Sequence, residues 1–174
     1  MIEGRLRVGD EARRFASGAA DRGTTRGIGL AFGFSIACVL VSPLVNAVGV
    51  GRLPEPFAWS GLAIMVGAVG VRVWAARTLG ASYTRTLRTS TGQQLVQAGP
   101  YRLIRHPGYA ASIALWLGAG LATSNLVIVL LVLAVVSAAY RARIVAEEAM
   151  LLDAFGEDYR AYSRRTWRLI PWVY

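Results

Sequence analysis

The residues of this chain best suited to chemistry fall into two clusters. Gly99-Pro100-Tyr101-Arg102-Leu103-Ile104-Arg105-His106-Pro107-Gly108-Tyr109 contains the only histidine. Arg143 to Glu148, followed by Phe155-Gly156-Glu157-Asp158-Tyr159 and Tyr162, contains an arginine and two adjacent glutamates. Pro107 keeps His106 extended and takes the first position of a helix, whose unpaired amides form a cradle for a carboxylate or phosphate. The plainer reading of His106 is a structural cap for that helix. Arg143 and Glu147, four apart, share one helical face, while Glu148 turns away by about 100°. Taken alone they read as a surface ion pair, and Tyr159 and Tyr162 read equally as a packing stripe at lipid headgroups.

The elements that must carry these clusters are apolar. Only 17% of the 174 residues are charged and 55% are hydrophobic, too little charge to coat a water-facing surface. The apolar residues gather into the runs Gly27 to Gly51, Phe57 to Leu79 and Pro107 to Tyr140. About 20 such residues, each rising about 1.5 Å, cross a hydrocarbon layer about 30 Å thick. The last run as one helix would be roughly 50 Å long, so Thr123-Ser124-Asn125 is read as the turn of a helical hairpin. If the hairpin forms, its two feet bring His106 and Arg143 together.

The net charge of +9 comes entirely from arginines set at the ends of these runs. Arg5, Arg7, Arg13, Arg14, Arg22 and Arg26 precede the first run, and Arg85, Arg88, Arg102 and Arg105 separate the second and third. Arg141, Arg143, Arg160, Arg164, Arg165 and Arg168 follow the last, whereas the connector after the first run has only Arg52. By the positive-inside rule, both termini, the middle loop and the site lie in the cytoplasm. This placement suits anionic headgroups and argues against nucleic acid as a partner. The single Cys38 excludes an intrachain disulfide and a cysteine-based metal cluster; no metal is expected.

The expected fold is all-α: a polytopic membrane helical bundle of about four spans, including the short hairpin, with a cytoplasmic loop and C-terminal helices forming the site. Residues 1–26 form a cytoplasmic lead-in and residues 27–174 one membrane domain. Its spans fall at about 27–48, 57–79, 107–122 and 126–142, and its cytoplasmic tail at 143–174. In the second span Gly61, Gly67, Ala68 and Gly70 would let a neighbouring helix approach closely. Arg72 and Arg77 would snorkel to the cytoplasmic surface.

From about Gly80 to Tyr174, in the same order, the chain resembles the isoprenylcysteine carboxyl methyltransferase family, which also embraces phospholipid methyltransferases. The resemblance lies in Arg105-His106-Pro107-Gly108-Tyr109 before an apolar hairpin, then Glu147-Glu148, Phe155-Gly156-Glu157-Asp158-Tyr159 with Tyr162, and the closing Arg168-Leu169-Ile170-Pro171. It implies a membrane methyltransferase using S-adenosylmethionine. Gln93, Gln94, Leu95, Val96, Tyr101, His106, Pro107, Gly108, Tyr109 and Glu147 then correspond to cofactor-binding positions, and Arg143 to the arginine that orients the substrate. Beyond Tyr162 the family members differ in detail, which leaves Arg164, Arg165 and Arg168 as headgroup contacts only.

These roles make chemical sense. His106 and the helix amides suit the cofactor's carboxylate, Glu147 its ammonium or ribose hydroxyls, and Tyr101 and Tyr109 its adenine or sulfonium. Arg143 suits an acceptor carboxylate. The expected reaction is methyl transfer to a lipophilic acceptor, a carboxylate of the prenylcysteine type, in contact with membrane lipids. Alternatives are a phospholipid or amine N-methyltransferase, an NADPH-dependent sterol-type reductase, which shares a similar His-Pro-x-Tyr, and a non-enzymatic membrane scaffold.

Overall fold

A computed structural model describes residue 21 and residues 23–80 and 95–174. Gln93 and Gln94 lie outside the described residues. The described residues are mostly helical. Helix α1 spans Thr24–Val48 and α2 spans Pro56–Leu79, a 3-10 turn spans Gly99–Arg102, α3 spans Pro107–Ala122 and α4 spans Leu126–Ser163. Among the described residues, β-pairing is confined to two isolated bridges, Arg52 with Asn125 and Ile104 with Trp167.

Each helix boundary has a local cause. Gly23 and Gly49, at φ 78° and 80°, bracket α1 in the left-handed conformation that glycine adopts without strain. Pro43 lies inside α1 and has no amide to give the Val39 carbonyl; the Ser42 hydroxyl takes that carbonyl at 2.7 Å. Pro56 and Pro107 open α2 and α3 at the position where a missing amide costs least. The Asn125 side chain caps α4, accepting from the amides of Val127 and Ile128 at 3.0 and 3.2 Å. The Thr123-Ser124-Asn125 turn therefore makes the hairpin, with Ser124 at φ 51°.

Among the described residues, three helices, α1, α2 and α4, are long and apolar enough to cross a membrane. The hairpin partner α3 has 16 residues and reaches about 24 Å. Leu40, Leu44, Val48, Trp59 and Val66 point outward and are exposed, as lipid-facing residues must be. The chain is an integral membrane protein.

Packing runs in the order α2, α3, α4, α1. The core is a row at four-residue spacing on α4: Ile128, Val132, Val136 and Tyr140. It faces Phe32 and Val45 of α1 and Tyr109, Ile113 and Trp116 of α3. Where α2 crosses α3 the backbones nearly touch: a Cβ at Gly61 would stand 2.5 Å from the Gly118 carbonyl oxygen, and one at Gly118 2.5 Å from that of Gly61. Of the small residues expected to serve this contact, Gly61 does so and Ala68 is buried, whereas Gly67 and Gly70 face open space. Arg72 does not simply snorkel outward. It reaches across to α3, donating to the Ser112 hydroxyl and, at 3.4 Å, to the Gly108 carbonyl.

Helix α4 runs on past residue 142 for more than five further turns. It is broken at Gly156, where φ 51° and ψ −120° are not helical. The break redirects the last turns so that Tyr159 and Tyr162 are both buried, 4% exposed. The Tyr162 hydroxyl donates to the Tyr101 carbonyl at 2.8 Å. These tyrosines pack in the protein interior, not as a headgroup stripe, because Gly156 turns their face onto the 99–106 segment.

Candidate active site

The hairpin feet meet at one end of the bundle. The His106 and Tyr109 rings stack at 5.5 Å with an interplanar angle of 7°. The Tyr109 hydroxyl donates to Glu147 Oε2 at 2.5 Å and accepts from Arg143 Nε at 3.3 Å. Tyr109 thus joins Arg143 and Glu147, which do not form a simple ion pair on the helix surface. His106 does not cap α3 with its side chain; its ring sits between the two glutamates. Nδ1 is 3.9 Å from Glu147 Oε2 and Nε2 is 3.4 Å from Glu148 Oε1. Glu148 therefore faces the site, although a 100° turn separates it from Glu147. An imidazole with nitrogens on opposite edges can face two adjacent helical side chains at once.

The two glutamates differ in their commitments. Glu148 binds Arg105 Nε at 2.9 Å and Arg168 Nη2 at 2.8 Å, with its side chain 14% exposed. Glu147 is 24% exposed and accepts from Tyr109. Arg168 is thus an internal ion-pair partner, not a headgroup contact. Its hydrogen bond to Glu148 raises its pKa above the ordinary arginine value, against a smaller lowering from burial. The tail also fixes the motif through the backbone: the amides of Arg105 and His106 donate to the carbonyls of Trp167 and Arg168 at 2.7 and 3.0 Å, and the Trp167 amide donates to the Leu103 carbonyl at 3.1 Å. The Arg105 guanidinium further binds the carbonyls of Ser163, at 3.0 Å, and Thr166.

Arg143 is buried, 3% exposed. Its Nη1 donates to the Asp21 carboxylate and to the hydroxyls of Thr24 and Thr25, at 3.0 and 3.1 Å. Burial pushes the Asp21 carboxyl up, but the Thr24 and Thr25 hydroxyls, the Thr25 amide and the Arg143 charge outweigh it and hold it below the ordinary value.

Of the residues named from sequence, the structure brings together His106, Pro107, Gly108, Tyr109, Arg143 and Glu147. Tyr101 is buried beneath them and tied through its carbonyl to Tyr162. Leu95 and Val96 are half-buried in the extended approach to the 3-10 turn. A Cβ on Gly108 would meet no atom within 4 Å, so the start of α3 is open on that side. Sequence reasoning missed Asp21, Glu148 as a hub and Arg168. For Glu148 a signal was available: two adjacent carboxylates at the end of an apolar helix need cationic partners.

The arrangement defines a class first: a helical membrane protein whose polar site is clamped between a hairpin and the returning C-terminal segment. Residues 57–158 match the phospholipid methyltransferase family, and the chain belongs to that family. It is 28% identical over 118 residues to a probable protein-S-isoprenylcysteine O-methyltransferase of Oryza sativa subsp. indica, covering 67% of this chain and 62% of that protein. It is 31% identical over 131 residues to the cobalt-zinc-cadmium resistance protein CzcN of Cupriavidus metallidurans, covering 75% of this chain and 51% of that protein. A shorter stretch of 72 residues is 38% identical to methanethiol S-methyltransferase 1 of Bradyrhizobium diazoefficiens, covering 41% of this chain and 24% of that protein. The solved structure of the eukaryotic intramembrane Ras methyltransferase ICMT (isoprenylcysteine carboxyl methyltransferase) shares the fold. Its TM-score is 0.69 at 22% identity, over 83% of this chain and 52% of that one. The chain thus spans less than two thirds of the length of these relatives.

Proposed function

We propose that this chain transfers a methyl group from S-adenosylmethionine to a lipophilic acceptor at the membrane surface. The observation that carries this reading is the convergence, at the foot of the hairpin, of a partly exposed carboxylate, a stacked aromatic pair and an open helix start. The residues present fit the cofactor: Glu147 and the Tyr109 ring suit its cationic groups, and the Gly108 amide, in the first turn of α3, suits its carboxylate. When bound, S-adenosylmethionine supplies an activated methyl group that needs alignment and shelter from water more than acid-base help.

The chain's own residues divide that work. Glu147 contacts the cofactor. His106, 3% exposed on its side chain, is a positioning residue that holds Glu147 and Glu148 in place. Leu95, Val96 and Tyr101, with Gln93 and Gln94, line the cofactor's approach by resemblance to the family. Both termini and the site lie in the cytoplasm, on the arginine distribution, and the acceptor enters sideways from the bilayer. A prenylcysteine-type carboxylate, oriented by Arg143, is the acceptor that the resemblance and the rice relative's name suggest. An uncharged acceptor is the second reading, and the buried pairing of Arg143 with Asp21 favours it.

The test is transfer of a labelled methyl group into membrane lipids or small prenylated thiols by the full chain in detergent, with the product identified. Thermal shift with S-adenosylhomocysteine and with NADPH runs beside it; stabilisation by NADPH alone overturns the reading. Glu147→Gln is expected to weaken S-adenosylhomocysteine binding at least tenfold, since a hydrogen bond to a charged group contributes about 1.5–3 kcal/mol.

A further inference from the structure

We propose that Asp21 determines acceptor specificity: by occupying Arg143 from within the chain, it makes the acceptor site one for an uncharged headgroup and excludes carboxylates. This rests on the methyltransferase reading above and takes its second acceptor, the uncharged one, in place of the carboxylate. A carboxylate forks onto arginine through Nη2 together with either Nη1 or Nε, and in Arg143 Nη1 already donates to Asp21 and to the Thr24 and Thr25 hydroxyls. Nε is taken by the Tyr109 hydroxyl. The ion pair is sealed, with side-chain exposures of 4% for Arg143 and 1% for Asp21.

Asp21 is itself held in place. Oδ1 accepts from the Thr24 hydroxyl at 2.8 Å, the Thr25 hydroxyl at 2.9 Å and the Thr25 amide at 3.3 Å. Those hydrogen bonds fix the carboxylate at the entry of α1, so it is bound to the helix start and to Arg143 together. A ligand carboxylate reaching Arg143 must expel this group. If it does not, it binds beside two anions, Asp21 and Glu147, that share one arginine and one tyrosine hydroxyl. An uncharged headgroup meets neither penalty.

The experiment compares two amphiphiles with the same prenylthioether tail, one ending in a carboxylate and the other in the matching carboxamide. Each is titrated against the full chain in detergent with saturating S-adenosylhomocysteine. The wild-type chain is expected to bind the carboxamide more tightly, and Asp21→Asn to raise the carboxylate-to-carboxamide affinity ratio at least tenfold. An unchanged ratio in Asp21→Asn, or a wild-type chain that already prefers the carboxylate tenfold, overturns the proposal. If Asp21→Asn does not fold, Thr25→Val loosens Asp21 without removing its charge and should shift the ratio the same way by a smaller factor; no shift overturns the proposal. Failure of the wild-type chain to bind S-adenosylhomocysteine would sink the methyltransferase reading separately, since the amphiphile ratio is a measurement on Asp21 alone.

Discussion

The two ends of the bundle join the same helices with opposite chemistry. At the end holding the hairpin turn, Asn125 is fully buried, and its amide nitrogen donates to the Asn46 side-chain oxygen and the Val50 carbonyl, both at 2.8 Å. Asn46 donates to the Thr123 carbonyl at 2.8 Å, and Leu126 N to the Gly51 carbonyl at 2.7 Å. Every group in this neutral knot is satisfied from inside the protein, which is what a buried polar network needs to stabilise rather than weaken a fold. At the other end, six charged side chains, Asp21, Arg105, Arg143, Glu147, Glu148 and Arg168, close the same helices around an imidazole and a phenol. That end leaves Glu147 half-committed and the start of α3 open. One end is finished and the other is left with capacity, and the capacity marks the site.

The sharpest way to break this comparison is to remove the hub of the charged end. Glu148→Ala removes the counter-charge of Arg105, 10% exposed on its side chain and left with the Ser163 and Thr166 carbonyls, and loosens Arg168 and His106. Loss of one partner from a buried pair costs about 3–5 kcal/mol, and partial exposure of Arg168 brings the expectation toward the lower figure. Stability in detergent should therefore fall by roughly 3 kcal/mol, and S-adenosylhomocysteine affinity should fall with it because His106 no longer holds Glu147. A variant that loses stability but keeps full affinity would separate the hub from the site.

Next in size is Asn125→Ala at the neutral end. It removes a helix cap and two buried inter-element hydrogen bonds, for a loss of about 2–3 kcal/mol. Here cofactor affinity measured on the folded fraction should be unchanged. A shared drop in affinity would show that the two ends are coupled through α4.

Between the ends, the Gly61–Gly118 crossing sets how closely α2 lies on α3. Gly61→Ala places a methyl group 2.5 Å from a carbonyl oxygen and 2.8 Å from the Ala122 amide nitrogen, both backbone atoms that move only with their helix. The expected loss is about 1–3 kcal/mol. Gly67→Ala on the same helix meets nothing within 4 Å and is expected to cost no stability and to gain up to about 1 kcal/mol of helix propensity, so the difference between the two substitutions measures packing alone.

Much of this was legible in the sequence, for definite reasons. Long apolar runs, paired prolines and Thr123-Ser124-Asn125 mark the helices and the hairpin because they act locally, within a turn or two of where they stand. Once the hairpin is drawn, the meeting of His106 with Arg143 and Glu147 follows from geometry. What stayed hidden depends on distant partners. Asp21 is 122 positions from Arg143, and in the sequence it is one acid among lead-in arginines. Gly61 and Gly67 look alike until the facing helix is known. Arg168 looks like any exposed basic residue near the end of a chain, because nothing local says that the tail returns to pair with residues 104–106.

The pH-dependent effect concerns the Asp21–Arg143 pair and acid. Its carboxyl is held below the ordinary value in the folded chain, so the pair's contribution is complete above the unfolded carboxylate pKa of about 3.9 and is lost as pH falls through the lower folded value. Unfolding midpoints of the wild-type chain and Asp21→Asn should differ most near neutral pH and converge as pH is lowered past that point. At neutral pH the difference reflects the loss of the Asp21 charge beside Arg143; in acid the wild-type chain loses that counter-charge as well, and the two become alike. A constant gap down to the most acidic pH at which the protein stays soluble would mean that Asp21 acts by packing and hydrogen bonding rather than by charge. The charged end would then resemble the neutral one more closely than its composition suggests.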